Sequence, residues 1–70
     1  MKKYEVSGMR RVKDYNVLFS LLNQYHTRQL NYKYDEKEKE GTLVFIIPKA
    51  NAPELDKRLK ESGLIFRVLE

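Results

Sequence analysis

The stretch from Leu30 to Ile47 reads LNYKYDEKEKEGTLVFII, and it decides the fold. Its first part alternates apolar and polar residues, and its last part, Thr42 to Ile47, carries apolar residues on both faces, so it predicts two strands. Between them, Asp35 to Gly41 is a charged segment ending in glycine, which is typical of a hairpin turn that uses a positive φ angle. The second strand has the composition of a central strand, because both of its faces are apolar.

A helical pattern precedes this hairpin. From Asp14 to about Arg28, apolar residues recur at steps of three and four, which predicts an amphipathic helix. We expect the Asp14 carboxylate to cap this helix, and a start near Met9 is the alternative. The apolar side of the predicted helix consists of Tyr15, Leu18, Phe19, Leu21, Leu22 and Tyr25.

A second helix is predicted after the hairpin. It begins at Asn51, which we expect to cap it, with Glu54 closing a capping box. Leu55 and Leu59 form its buried side, and Gly63 supplies a left-handed end.

Two further strands complete the chain. Residues 3–7 alternate with Tyr4 and Val6 on the buried face, and Gly8 ends this strand. Residues 64–69 alternate in the same way. The order βαββαβ in one domain, residues 1–70, predicts an α+β ferredoxin-like sandwich. Right-handed crossovers place both helices on one face of a four-stranded antiparallel sheet, in the order 4-1-3-2.

The opposite face of this sheet is predicted to be open. Strand 3 contributes either Val44 and Ile46 or the alternate set beginning at Leu43, and periodicity does not decide between them. An exposed apolar strip on a small domain indicates an interface. The predicted open face also carries Lys3, Glu5, Ser7, Asn31 and Lys33, and the candidate partner-binding residues are Ile65, Arg67, Leu69, Val44 and Ile46.

The positive charge of the chain is concentrated at its start. The formal net charge is +4, and residues 1–13 carry five basic side chains against Glu5 alone, so the rest of the chain is balanced. A local cluster of this kind is a candidate anion- or nucleic-acid-binding site. Its members are Lys2, Lys3, Arg10, Arg11 and Lys13.

Composition argues against several classes of function. With no cysteine and one histidine, the chain lacks thiolate ligands and a multi-histidine site, so we expect no metal and no cofactor. The longest apolar run, Leu43 to Ile47, is far shorter than a membrane span, and we expect a cytoplasmic protein without a membrane partner. No nucleophile or carboxylate pair is arranged around His26, so we expect no enzymatic activity.

The chain resembles the heavy-metal-associated domain, a ferredoxin-like copper carrier. The resemblance rests on residues 6–9 (VSGM), on Leu18 and Leu22 in the first helix, and on residues 61–64 (ESGL). It implies the same fold, but the two metal cysteines of that family would fall at Arg11 and Asp14. These side chains cannot hold Cu(I), which selects soft thiolates, so the resemblance implies no metal transport.

These observations lead to a functional expectation. We expect a small non-enzymatic binding or regulatory module that acts through protein–protein contacts, including self-association through the open sheet face. Regulatory modules of the ACT type, which resemble this topology, belong to the same class. The alternative is a nucleic-acid-binding module that uses the N-terminal basic cluster.

Overall fold

The computed structural model describes residues 1–69, which form a four-stranded antiparallel sheet and two helices. The sheet order is β2-β3-β1-β4, which is the predicted order read from the other edge, so the predicted α+β fold is confirmed. The elements are β1 (Lys2–Met9), α1 (Val12–Gln24), β2 (Arg28–Asp35), β3 (Glu40–Ile47), a 3₁₀ turn (Lys49–Asn51), α2 (Ala52–Ser62) and β4 (Ile65–Val68).

The structure shows which face of the central strand β3 lies in the core. Leu43, Phe45 and Ile47 are at most 1% exposed, whereas Val44 and Ile46 are half-buried on the other face. The Phe45 ring stacks on that of Tyr4 with centroids 5.7 Å apart. The alternative left open by periodicity is therefore resolved, and Val44 and Ile46 belong to the open face.

The first strand runs further than predicted. Gly8 does not end β1 but forms an irregularity with φ +70, after which Met9 pairs with Gly41. The extra residue returns the Met9 side chain to the core face, where it is 1% exposed. Alternation alone predicts the opposite face for residue 9, so the bulge explains how a hydrophobic residue after Gly8 is buried.

The helix starts also differ from prediction. Val12 begins α1, so Asp14 lies inside the first turn, where its Oδ2 accepts from the backbone N–H groups of Arg10 and Arg11 at 3.2 Å. Asn51 has helical dihedral angles and does not cap α2. Its side-chain amide instead donates to the Tyr25 carbonyl at 3.1 Å. In both cases the sequence indicates a polar side chain that makes a hydrogen bond near the start of the helix, but the structure gives that side chain a different partner from the predicted one.

Most of the helical residues that the sequence predicts to be buried are buried in the structure. Leu18, Leu21, Leu22 and Tyr25 of the first helical pattern are buried, and so are Leu55 and Leu59 of α2. Phe19, however, is 37% exposed and lies at the margin of the stripe. Gly63 ends α2 with φ 80, as predicted.

Strand β2 is the largest departure from the predicted core. Its alternation predicts that Leu30, Tyr32 and Tyr34 are half-buried, yet each is about half exposed, and all eight residues of the strand are exposed. It is an edge strand, paired to β3 on one side only. Alternation reports a preference for one face, but it cannot report whether another element covers that face.

Two tyrosine hydroxyls connect α1 to β2 above Gly41. The hydroxyl oxygens of Tyr15 and Tyr32 are 2.8 Å apart and share a hydrogen bond, and Tyr15 also donates to the Met9 carbonyl at 3.4 Å. The positive φ angle of the hairpin belongs to Lys39 (φ 59), not to Gly41. Gly41 is needed because a Cβ there would collide with both hydroxyls.

We expect Gly41→Ala to lower the free energy of unfolding by about 1–3 kcal/mol, because the added methyl group must displace the two phenols. Chemical denaturation measures this loss. Adding Tyr15→Phe and Tyr32→Phe removes the colliding oxygens, so the triple variant should lose less than the sum of its parts. An additive loss would contradict a steric origin.

The tyrosine pair also predicts a pH dependence. The hydrogen bond to Tyr32, together with desolvation, raises the pKa of Tyr15 to about 12 from the ordinary value of 10.0. A raised pKa favours the protonated phenol in the folded state. Its contribution to stability is therefore present below pH 10 and is lost as the pH rises through about 12. In a phenolate absorbance titration, the late titration of Tyr15 should shift back toward the ordinary pKa in Tyr32→Phe, whereas Tyr4, whose pKa burial also raises, should be unaffected.

Candidate partner-binding surfaces

The open face of the sheet is organised in three rows that cross the strands. Directly opposite residues of antiparallel strands share a face, so the register defines each row. The first row is Arg28, Ile46, Lys3 and Leu69, the second is Asn31, Val44, Glu5 and Arg67, and the third is Lys33, Thr42, Ser7 and Ile65. These twelve residues are called the open face below. Beyond the third row, the hairpin end carries Asp35 and Glu40.

The structure brings all five predicted partner-binding residues to this face. Ile65 is 66% and Leu69 is 38% exposed, while Val44 and Ile46 lie half-buried between them and β2. The backbone N–H of Leu69 donates to the Lys3 carbonyl at 2.7 Å, which continues the β4 register beyond Val68. The apolar side chains therefore form two groups, one in the middle of the sheet and one at its β4 edge.

Cations dominate the open face. Arg67 donates through Nε to Glu5 Oε1 at 2.8 Å. Glu5 carries the one carboxylate among the twelve open-face residues. Among residues 1–69, neither Arg28, Lys3 nor Lys33 has a carboxylate within 4.0 Å. Because Arg28 and Lys3 flank Ile46 in the first row, this end of the face combines uncompensated positive charge with apolar surface.

The structure does not bring the predicted basic cluster together. Lys2 and Lys3 begin β1, whereas Arg10, Arg11 and Lys13 follow its end, and eight extended residues separate the two groups by about 25 Å. Two of the cations at the far end already have partners. Arg10 binds Glu40 and Arg11 binds Asp14, each at 3.3 Å.

The basic residues that lie near Lys2 and Lys3 in the structure differ from those of the predicted cluster. Lys2 lies near Lys49 along a shallow depression on the helix side, and Lys3 shares a row with Arg28 on the open face. Sequence reasoning missed Arg28 because the predicted strand began at Leu30. The irregularity in the pairing between Gln29 and Asn31 hides this position from simple alternation.

An ion pair lies where β1 passes into α1. Arg11 and Asp14, at which the predicted resemblance would place the two metal cysteines, contact each other at 3.3 Å. Within residues 1–69, no three histidine, aspartate or glutamate side chains converge as metal ligands would. Over the same residues, no helix is long and apolar enough to cross a bilayer.

Comparisons with known proteins support the architecture. The sequence matches no protein-family model and no curated protein. Its structure is similar to that of formyltetrahydrofolate deformylase from Pseudomonas putida KT2440, with a TM-score of 0.57 and 12% identity, over 96% of this chain and 27% of that chain. The deformylase from Burkholderia mallei ATCC 23344 gives the same TM-score and identity, over 99% of this chain and 27% of that one.

This likeness concerns the fold alone. The chain spans about a quarter of the length of these deformylases, and 12% identity carries no residue correspondence from them. The similarity to the heavy-metal-associated domain thus remains a prediction made from residues.

Ile65 is the position that tests the placement of β4. Since its side chain is mostly exposed, we expect Ile65→Lys to change the free energy of unfolding by no more than about 0.5 kcal/mol. Leu59→Ala, at a fully buried position, should cost about 2–5 kcal/mol and serves as the control. Comparable losses in thermal or chemical denaturation would show that Ile65 belongs to the core.

Proposed function

We propose that this protein is a non-enzymatic binding module that receives an acidic, partly apolar segment of a protein partner on its open face. The observation that supports this most is the first row. There, Arg28 and Lys3 stand on either side of Ile46, with no carboxylate within 4.0 Å among residues 1–69.

Charge favours an acidic partner over a second copy on this face. The three rows hold four cations and Glu5 as the single carboxylate, so two copies stacked on these rows would bring like charges together. Such juxtaposition opposes association and selects partners of the opposite sign. The predicted self-association through the open face is therefore replaced, in this proposal, by association with an acidic segment.

Apolar contacts supply the other part of the binding free energy. Ile65 and Leu69 are exposed, and burying one such side chain is worth about 1.5–3 kcal/mol before the cost of association. Because Val44 and Ile46 are already half-buried, the additional area they offer is smaller. These quantities favour a moderate affinity that depends on both salt and apolar side chains.

The nucleic-acid alternative has less support on this face. Single strands bind by stacking their bases on exposed aromatic rings as well as through phosphate contacts. None of the twelve open-face residues is aromatic, and the exposed Tyr32 and Tyr34 lie on the helix side of β2. Phosphate contacts by Arg28 and Lys3 alone would give weak and non-specific binding.

The fold comparison identifies neither a ligand nor a role for this chain. In the two deformylases, a unit of this shape makes up 27% of a longer enzyme chain. A fold of this kind hosts many unrelated functions, so the proposal depends on the open face and not on the neighbours.

A titration followed by NMR tests the proposal. We expect a short extended peptide that alternates glutamate and leucine to shift the backbone amides of β1 and β3 in the ¹⁵N-labelled protein. The matched peptide with lysine in place of glutamate should cause no such shifts. Raising the salt concentration should weaken the binding, since the contacts are near the surface.

Charge reversal provides the matched control. Lys3→Glu with Arg28→Glu should reduce the affinity at least tenfold, a loss of about 1.4 kcal/mol. Lys57→Glu with Arg58→Glu makes the same change in net charge on exposed positions of α2 and should leave the affinity unchanged. Equal effects of the two double variants would contradict the proposal. Shifts of the same amides by oligothymidylate, without any response to the acidic peptide, would replace it with the nucleic-acid alternative.

A further inference from the structure

The free backbone edge of β2 is a surface that the proposed function does not use. All eight residues of Arg28–Asp35 are exposed, and the side of the strand away from β3 has no strand partner within residues 1–69. The other edge strand, β4, has four residues. A short edge limits pairing with other chains, whereas a long one offers a row of backbone donors and acceptors.

Apolar side chains accompany this free backbone. Leu30, Tyr32 and Tyr34 are between 47% and 51% exposed, and Phe19 of α1 is exposed as well. A surface that combines unpaired strand backbone with exposed apolar side chains is suited to an added strand.

The charges of β2 favour one kind of added strand. Arg28 begins the strand with a positive charge, and Asp35 ends it with a negative charge, followed by Glu36 in the turn. In an antiparallel pair of identical strands, each end lies beside the opposite end of the other strand. The strand is therefore complementary in charge to a second copy of itself.

We infer that two copies of this protein pair antiparallel through β2 and form one continuous eight-stranded sheet. A two-fold axis at Tyr32 places Leu30 beside Tyr34 of the second copy. Because the irregularity between Gln29 and Asn31 inserts one residue, Arg28 then lies opposite Asp35 of the second copy, on the same face of the sheet. Both pairs are of favourable kinds, since apolar and oppositely charged cross-strand pairs stabilise a sheet.

Two features of β2 weaken this association and keep it reversible. The irregularity between Gln29 and Asn31 bends the strand, and Lys33 carries a charge in its interior. Both are features by which natural edge strands limit pairing. We therefore expect a dimer that forms at high micromolar concentration and dissociates on dilution.

Cysteine cross-linking tests the geometry, and the absence of native cysteines makes single-site variants clean. With the axis at Tyr32, Asn31 lies opposite Lys33 of the second copy, at a distance that a disulfide spans. Mixing Asn31→Cys with Lys33→Cys under mild oxidation should give mainly the mixed disulfide. A mixture of Lys57→Cys with either variant is the control, because Lys57 is exposed on α2. Equal yields of all disulfides would overturn the inference.

Sedimentation of the unmodified chain measures the association itself. Arg28→Glu should raise the dissociation constant several-fold, because it places a carboxylate beside Asp35 and Glu36 of the second copy. Arg58→Glu, which changes the net charge equally on α2, should leave the constant unchanged. Leu30→Lys with Tyr34→Lys opposes like charges in the pair and should raise it more than tenfold. A chain that stays monomeric at millimolar concentration would also overturn the inference.

This test is independent of the test of the open face. The dimer is measured by mass and cross-linking, whereas the acidic segment is detected through amide shifts in β1 and β3. Since Arg28 contributes to both surfaces, the Leu30→Lys, Tyr34→Lys variant separates them. It should weaken the dimer more than tenfold and leave binding of the acidic peptide unchanged.

Discussion

The burial of one side of β3 is the constraint on which the rest of the structure depends. Leu43, Phe45 and Ile47 are excluded from water, with Phe45 stacked on Tyr4 across the sheet. Since strand side chains alternate, this choice forces Val44 and Ile46 onto the opposite face. The pairing of β3 with β1 and β2 then sets which charged residues lie beside them. The composition of the open face is thus a consequence of where the core lies.

The two helices of this small domain leave the edge strand β2 uncovered. The buried leucines of α1 and α2 pack over the core side of the sheet, and β2 is left with all its residues exposed. A hydrogen bond between the hydroxyl groups of Tyr15 and Tyr32 connects α1 to β2, and Gly41 leaves space for these two groups. This arrangement holds the hairpin to the helix while leaving its outer edge free.

Folding changes which basic residues lie close together and which of them have acidic partners. In the sequence, Lys2, Lys3, Arg10 and Arg11 are neighbours, but an extended strand carries the two pairs to opposite ends of the sheet. Carboxylates meet the arginines at one end, from Glu40 and Asp14. At the other end Lys3 gains Arg28, which lies far away in sequence. Proximity along a strand is therefore a poor guide to an electrostatic site.

The sequence by itself determined the fold class, because the changes of period between two and three to four residues mark each strand and helix, and Gly63 marks a helix end. It also placed Ile65, Arg67 and Leu69 on the open face, since alternation in β4 is undisturbed. Only the tertiary structure decided the face of β3, whose apolar residues carry no alternation, and the exposure of Tyr32 and Tyr34, which depends on what covers them. The bulges at Gly8 and Leu30 were likewise hidden, because one inserted residue reverses every later assignment and only cross-strand pairing reveals it.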